Sequence, residues 1–170
     1  MECCKNDTQE SIHNGVLVLA AGESRRMGTP KALLDLGGIR LLERHIATFR
    51  QEGYAIIGVV LGHQLELLRQ TADLSGARVI EHPGYAAGQL SSIRQGVEAL
   101  RSEGCNTVLL TPVDCPPVSP EVRAGLHAAL ASRPGLAAIV PGFQGAPGHP
   151  VLLGRAALEA VAQAAPDTTL

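Results

Sequence analysis

Thirteen consecutive residues near the start of the chain combine glycine with positive charge: Leu19 to Lys31 read LAAGESRRMGTPK. Glycine lets a backbone approach a ligand closely and adopt positive φ angles. Exposed N–H groups in such a turn bind anions, and arginine and lysine add fixed positive charge. The apolar run before it, Gly15 to Leu19, predicts a buried strand, and open α/β sheets bind ligands beyond the carboxyl ends of their strands. The stretch therefore predicts a cradle for a triphosphate.

Three other interpretations of this stretch fit less well. A Walker P-loop has four residues between its glycines, whereas five separate Gly22 from Gly28, and Thr-Pro-Lys follows in place of Lys-Ser/Thr. The dinucleotide pattern Gly-x-Gly-x-x-Gly is absent. A purely structural turn remains an alternative, but such a turn has no use for Arg25, Arg26 and Lys31.

A carboxylate is expected on the same edge of the sheet. Asp114 follows Leu110, the last residue of another predicted buried strand, by four residues. Loops after parallel strands open on one edge, so Asp114 should approach the cradle. Carboxylate and phosphate repel each other unless a cation lies between them, and Mg²⁺ takes one or two carboxylates plus phosphate oxygens. Asp114 is therefore predicted to be a magnesium ligand, the alternative being an Asx turn before the prolines. Cys115 is interpreted as a small apolar neighbour.

The glycine-rich stretch resembles the signature L-A-A-G-x-S-x-R-M-G-x-P-K of the nucleotidyltransferases that load a nucleotide onto molybdopterin. Every fixed position is filled, and an apolar strand–Asp–x–Pro arrangement around Asp114 matches the family's metal ligand. The resemblance covers about residues 16 to 165. It implies nucleotide binding by the following residues of the stretch: Leu19, Ala20, Ala21, Gly22, Ser24, Arg25, Arg26 and Lys31.

Two further segments match the same family. Gly84 to Gly96 resembles its glycine–serine helix entry, with Gly88 and Ser92 on the pattern. Because helix amino termini favour anions, Ser91 and Ser92 are predicted to face the nucleotide. Ordinary helix capping is the alternative, since Ser92 and Gln95 have capping-box spacing. The segment Gly148-His149-Pro150 matches the family's Gly-His-Pro and is predicted to line the acceptor pocket.

The resemblance implies a reaction and its participants. A terminal phosphate oxygen of molybdopterin attacks the α-phosphorus of a nucleoside triphosphate, and pyrophosphate leaves. Arg26, with Arg25, is expected to hold the β- and γ-phosphates, Lys31 to meet the charge at the α-phosphate, and Asp114 to hold Mg²⁺. The Ala20-Ala21-Gly22 form resembles the cytidylyltransferase branch, whose cytosine dinucleotide product serves xanthine-dehydrogenase-type enzymes, so such a molybdoenzyme is an expected partner.

Other activities stay open at this point. They are guanylyl transfer, sugar-phosphate nucleotidyl transfer, and non-catalytic cofactor binding or delivery. The last is considered because the family continues with an Asp-x-Asp-Thr-Pro-like strand that carries a second metal ligand, whereas this sequence ends at Asp167-Thr168-Thr169-Leu170. We expect a flexible tail over residues 1–13 and a single nucleotidyltransferase domain over 14–170 that lacks this strand.

Strand and helix patterns alternate along the chain. Apolar runs predict strands at Gly15–Leu19, Ala55–Leu61, Arg78–Ile80, Thr107–Leu110, Ala137–Val140 and Val151–Leu153. Helical patterns occupy Leu41–Arg50, Gln64–Gln70, Gly88–Arg101, Gly154–Ala164 and a segment that starts at Ser119-Pro120, with Val122, Leu126 and Leu130 inward. Alternation predicts an α/β fold with a mainly parallel sheet. The resemblance implies the same three-layer α/β/α Rossmann-like nucleotidyltransferase fold.

Composition narrows the function classes further. The 170 residues are 45% hydrophobic with a net charge of −2, and only 2% are aromatic, which argues against nucleic-acid binding by base stacking. No apolar run has the length of a membrane span, and the amino terminus is unlike a signal peptide. Four cysteines without a Cys-x-x-Cys pair favour a reducing cytoplasm.

Overall fold

The computed structural model describes residues 13–24, 27–133 and 135–164. It is an α/β fold built on a six-stranded sheet with the order β3-β2-β1-β4-β8-β5. The strands of the chain are β1 (His13–Ala20), β2 (Ile56–Leu61), β3 (Arg78–Glu81), β4 (Cys105–Pro112), β5 (Ala138–Ile139), β6 (Gly142–Phe143), β7 (Ala146–Pro147) and β8 (Val151–Leu153). The helices are α1 (Leu41–Gln51), α2 (Leu65–Thr71), α3 (Gln89–Ser102), α4 (Pro120–Ala131) and α5 (Arg155–Gln163).

The sheet is mainly parallel, as predicted. β1 pairs in parallel with β2 on one side and β4 on the other, and β3 extends the sheet beyond β2. β8 runs antiparallel to both β4 and β5. Because β1 and β4 are neighbours, the loops that follow them leave the same edge of the sheet side by side.

Both faces of the sheet are covered, which makes the predicted three-layer arrangement correct. Alternate side chains of β1 point to opposite faces. Val16 and Val18 join one core cluster with α1, α2 and α4, whereas Leu17 and Leu19 join a second cluster with α3 and α5. The central strands are therefore apolar on both faces, the pattern of strands that helices cover on both sides.

The structure differs from the sequence prediction in two places. Val122 was predicted to face inward on α4 but is 39% exposed, and Arg123 is buried in its stead at 3%. The guanidinium of Arg123 pairs with Glu52 and lies 5.7 Å from the ring centre of Phe49. The carboxylate of Glu52 therefore balances the buried positive charge. The predicted loop from Pro141 to Pro150 contains a short hairpin of β6 and β7.

The described helices include none that is both long and apolar enough to cross a membrane.

Close packing of α3 on the sheet depends on Gly96, which has no side chain. Leu17 is fully buried and lies between Gly58 of β2 and Gly96 of α3. A Cβ at Gly96 would stand 2.9 Å from Cγ of Leu17 and still closer to its methyl groups. A Cβ added at Gly125 in α4 would have no atom of the described residues within 4 Å.

We therefore expect Gly96→Ala to lower the free energy of unfolding by about 1–3 kcal/mol, the usual cost of overpacking. Gly125→Ala is the matched control and should raise it by about 0.5–1 kcal/mol, because alanine favours the helix. Urea denaturation measures both changes. Equal stability gains in the two variants would contradict this account of the packing.

Candidate active site

Lys31 and Asp114 meet at the carboxyl edge of the sheet. Nζ of Lys31 lies 2.5 Å from Oδ2 of Asp114, although 83 residues separate them in the chain. The side chains are 34% and 41% exposed, so the pair is accessible from solvent. The structure thus brings together the cation and the acid that the sequence analysis placed on one edge.

Asp114 is held in a tight turn after β4. The N–H of Cys115 donates to the carbonyl of Pro112 at 3.1 Å, which closes a β-turn with Val113 and Asp114 at its centre. The N–H of Val113 donates to the carbonyl of Leu19 at 3.0 Å and so ties this turn to the end of β1. These two bonds hold the backbone of the turn beside the start of the glycine-rich stretch.

The charges at this turn are set by its neighbours. The hydrogen bond from Lys31 lowers the pKa of Asp114 against the opposing effect of partial burial, so the carboxylate is ionised at neutral pH. Burial, together with the charge of Asp114, raises the pKa of the Cys115 thiol. A protonated thiol is a poor nucleophile, which supports the interpretation of Cys115 as a small apolar neighbour.

Ser24 positions the backbone of Lys31. The N–H of Lys31, which opens a single 3₁₀ turn, donates to Oγ of Ser24 at 3.1 Å. Ser24 and Gly28 have φ angles of 50° and 66°, so the chain curls tightly before Pro30, the residue that precedes this turn. Arg25 and Arg26 lie outside the described residues, and their contact with phosphates stays a prediction.

Two cavities flank the end of β1. One of about 150 Å³ is lined by Leu19, Ala20, Gly22, Ser24, Lys31 and Asp114, among others. The other, of about 280 Å³, shares Leu19 and Gly22. A Cβ added at Gly22 would meet no atom of the described residues within 4 Å, so glycine here leaves room between the two cavities. We call them the phosphate cavity and the nucleoside cavity after the ligand groups that the sequence analysis predicts there, and their occupancy stays a prediction.

The nucleoside cavity is lined on its far side by the entry to α3. Gly88, at φ 103°, precedes this helix, and Ser92 lines the cavity. The hydroxyl of Ser91 donates to the carbonyl of Gly88 at 2.6 Å and also contacts His82 Nε2 at 2.8 Å. Ser92 rather than Ser91 is therefore in position to touch a nucleotide, while nucleotide binding by either residue stays a prediction.

The alternative of a capping box at Ser92 and Gln95 is excluded, because Gly88 is the residue that precedes the helix and Ser92 lies buried within its first turns. At the start of α1 one of the two bonds of a capping box is present, since the Glu43 carboxylate accepts from the N–H of Arg40 at 3.1 Å.

Antiparallel pairing brings the Gly148-His149-Pro150 segment to the same edge. Val151 at the start of β8 pairs with Leu110 near the end of β4, so the residues just before Val151 lie beside the Asp114 turn. His149 is exposed, and its charge contributes to the lowered pKa of Asp114. Pro150 is buried, and the N–H of Gly148 donates to Pro141 at 2.9 Å, which closes the base of the hairpin. Acceptor binding by this segment stays a prediction.

Two residues at the site were not assigned roles from the sequence. Tyr85 lines the nucleoside cavity, and its hydroxyl lies 3.2 Å from Nδ1 of His63. His45 is fully buried under the Asp114 turn, with Nε2 3.0 Å from the carbonyl of Val113. The sequence feature that could have indicated a buried His45 is its position between Leu42 and Phe49 on the apolar face of α1.

A larger cavity, about 330 Å³, lies away from this site. Arg101, Cys105 and Arg155 line it, at the opposite edge of the sheet where β4 begins. Ligands of parallel α/β sheets bind at the carboxyl edge, and the charged pair lies there too, so the two smaller cavities form the better candidate.

Comparison with known proteins assigns the family. A model of the MobA-like NTP transferase domain matches residues 16–170. The chain belongs to this family. It is a nucleotidyltransferase with the α/β fold described above.

Named relatives differ in the nucleotide that they transfer. The chain is 32% identical over 142 residues to the molybdenum cofactor cytidylyltransferase of Escherichia coli K12, covering 84% of this chain and 70% of the relative. It is 31% identical to a molybdenum cofactor guanylyltransferase of Sinorhizobium fredii, covering 72% of this chain and only 56% of the relative.

Solved structures share the fold. Rv0371c of Mycobacterium tuberculosis superposes with a TM-score of 0.74 at 27% identity, covering 90% of this chain and 77% of that one. A structure of the same protein, described as a complex with manganese, gives a TM-score of 0.67 at 22% identity, covering 89% and 76%. The latter similarity concerns the fold alone.

The exposed Lys31–Asp114 pair should matter far more for activity than for stability. Exposed ion pairs contribute about 0–1 kcal/mol, so Lys31→Ala and Asp114→Asn should each leave the free energy of unfolding within about 1 kcal/mol of wild type. Lys31→Ala should nevertheless reduce turnover on the order of 10²–10³-fold, as the loss of a transition-state electrostatic group does elsewhere. Pyrophosphate release and urea denaturation on the same samples measure both. Unchanged turnover in the Lys31→Ala protein would rule out the assigned role.

Proposed function

We propose that this protein transfers a cytidylyl group from CTP to the terminal phosphate of a molybdopterin-type acceptor and releases pyrophosphate. The observation that carries the proposal is the Lys31–Asp114 pair at the rim of the phosphate cavity, in a chain with the Leu19-Ala20-Ala21-Gly22 form of the signature. The names of the relatives favour the same acceptor, because both act on the molybdenum cofactor. The cytosine dinucleotide product would then pass to a xanthine-dehydrogenase-type molybdoenzyme.

The residues of the site act mainly by position and charge. The acceptor phosphate is already anionic, so transfer needs no general base from the protein. Lys31 can follow the α-phosphate as charge develops there, because its backbone is fixed through Ser24 while its side chain reaches the cavity. Gly22 leaves the space in which a phosphate can approach the backbone. We expect His149 to contact the acceptor, because it directly precedes Pro150 and β8, and β8 lies on the side of β4 away from β1.

Asp114 is the described residue that fits a divalent cation. Among the described residues no cluster of three or more His, Cys, Asp and Glu could hold a metal by itself. A single ionised, accessible carboxylate suits Mg²⁺, which usually keeps waters and takes its other ligands from substrate phosphates. When bound, the ion would neutralise triphosphate charge and orient the phosphates. A metal complex of a structural relative, described with manganese, agrees with divalent metal chemistry on this fold.

Ala21 supports a preference for a pyrimidine. Its side chain lines the nucleoside cavity, although it is only 5% exposed, so its methyl group would form part of the wall against which a nucleoside packs. The resemblance implies that guanylyl-transferring members carry a glycine where the Ala20-Ala21-Gly22 form of this chain has an alanine, and a glycine in place of Ala21 would enlarge the cavity. A methyl group that narrows the cavity should disfavour a purine more than a pyrimidine.

The activity can be tested with CTP, GTP, ATP and UTP, each with molybdopterin and MgCl₂. We expect pyrophosphate release to be fastest with CTP and to require the acceptor and the metal. A preference for GTP would assign the protein to guanylyl transfer. Release with a sugar phosphate in place of molybdopterin would indicate a sugar-phosphate enzyme, and binding without release would indicate a delivery protein.

The base preference can be tested separately with Ala21→Gly. Removing the methyl group should raise the kcat/KM for GTP relative to CTP by about 10-fold, the usual scale for one methyl group in a pocket. Ala20→Gly is the matched control, because Ala20 lines the phosphate cavity instead and should leave this ratio unchanged. An unchanged ratio in Ala21→Gly would mean that the base is selected elsewhere.

A further inference from the structure

His45 is a polar residue in an otherwise apolar layer. It lies on α1 with none of its surface exposed, beside Leu42 and Ile46. Burial lowers the pKa of its imidazole, so the ring is neutral and carries one proton. Nε2 lies 3.0 Å from the carbonyl oxygen of Val113, which can only accept, so the proton is on Nε2.

The other ring nitrogen of His45, Nδ1, makes a histidine at this position unfavourable for stability. Nδ1 is buried and has no hydrogen-bond partner among the residues that the structure describes. Burying an unsatisfied acceptor is unfavourable, and a leucine of similar size would avoid that cost. Packing therefore does not explain a histidine at this position. What it adds is a donor to Val113.

Val113 is the residue through which such a donor reaches the active site. Its side chain is buried, and its N–H donates to the carbonyl of Leu19. Its carbonyl belongs to the peptide group that leads directly into Asp114. If His45 did not engage this carbonyl, that peptide would be free to rotate toward water, and its rotation would swing the Asp114 carboxylate relative to Lys31.

The ring is itself held in place. It stacks on Phe49 with ring centres 5.9 Å apart and an interplanar angle of 28°. Phe49 in turn lies beneath the buried guanidinium of Arg123, which pairs with Glu52. The imidazole is thus fixed from the side opposite the active-site edge.

We propose that His45 is a positioning residue, whose Nε2–H bond to Val113 holds the 112–115 turn so that Asp114 faces Lys31 and the phosphate cavity. The catalytic part of this inference rests on the proposed function of the site. The structural part, that His45 orders the turn, does not.

Hydrogen exchange tests the structural part without any nucleotide. The amide of Cys115, which closes the turn, should exchange at least about 10-fold faster in His45→Leu than in wild type. His45→Gln keeps an N–H donor near the position of Nε2 and should restore protection to within about 3-fold. Ile46→Val, in the same layer without a bond to the turn, is the matched control and should leave this amide unchanged.

Kinetics test the catalytic part. His45→Leu should lower kcat for pyrophosphate release by about 10–100-fold, since small misplacements of a catalytic group have costs of this size, while KM for the nucleotide changes less than about 3-fold. His45→Gln should recover most of kcat. If the wild type releases no pyrophosphate, the proposed function fails, whereas the exchange result still decides whether His45 orders the turn.

Three results would overturn the inference. The first is normal protection of Cys115 in a folded His45→Leu protein. The second is equal loss in the leucine and glutamine variants, which would indicate packing alone. If His45→Leu does not fold, nitrogen NMR of the wild-type imidazole decides, because a proton found on Nδ1 rather than Nε2 excludes the bond to Val113.

Discussion

Parallel pairing of β1 with β4 determines where the charges of this protein meet. The register matches Leu19 with Pro112, so the glycine-rich stretch and the Asp114 turn begin at the same level of the sheet. The bond from the N–H of Val113 to Leu19 continues this pairing one step beyond the strands. A lysine and an aspartate that are distant in sequence thereby become neighbours at 2.5 Å. The phosphate cavity, its electrostatics and the proposed reaction all depend on this registration.

Much of the fold could be predicted because apolar periodicity reports directly on burial. The runs that became β1, β2 and β4 contain consecutive buried apolar residues, as the centres of strands covered on both faces must. On α4 the periodicity was correct for Leu126, which is buried, but wrong for Val122. There the inward position belongs to Arg123, and nothing in a hydrophobic pattern reveals that Glu52, 71 residues away, compensates its charge.

The candidate site was predictable only in part, for a related physical reason. Residue type and loop position were enough to predict that Lys31 and Asp114 lie at one edge of the sheet, because the loops that follow parallel strands leave the sheet at the same edge. The hydrogen-bond partner of a side chain depends on the tertiary structure and was not predictable from the sequence. Ser91 proved to be bonded to Gly88, and His45 to Val113. A lone histidine in a sequence gives no indication of whether its nitrogens meet solvent, a ligand or a backbone carbonyl.

The reversed direction of β8 has a consequence for how such enzymes can diversify. A parallel strand in that place would begin at the far edge of the sheet, but β8 begins beside the end of β4. The segment 141–150 therefore arrives at the reaction centre from outside the parallel core. Its length and composition can drift without disturbing β1, β4 or the helices that cover them. The parallel core can therefore keep the Lys31–Asp114 pair over evolutionary time while the segment 141–150 changes.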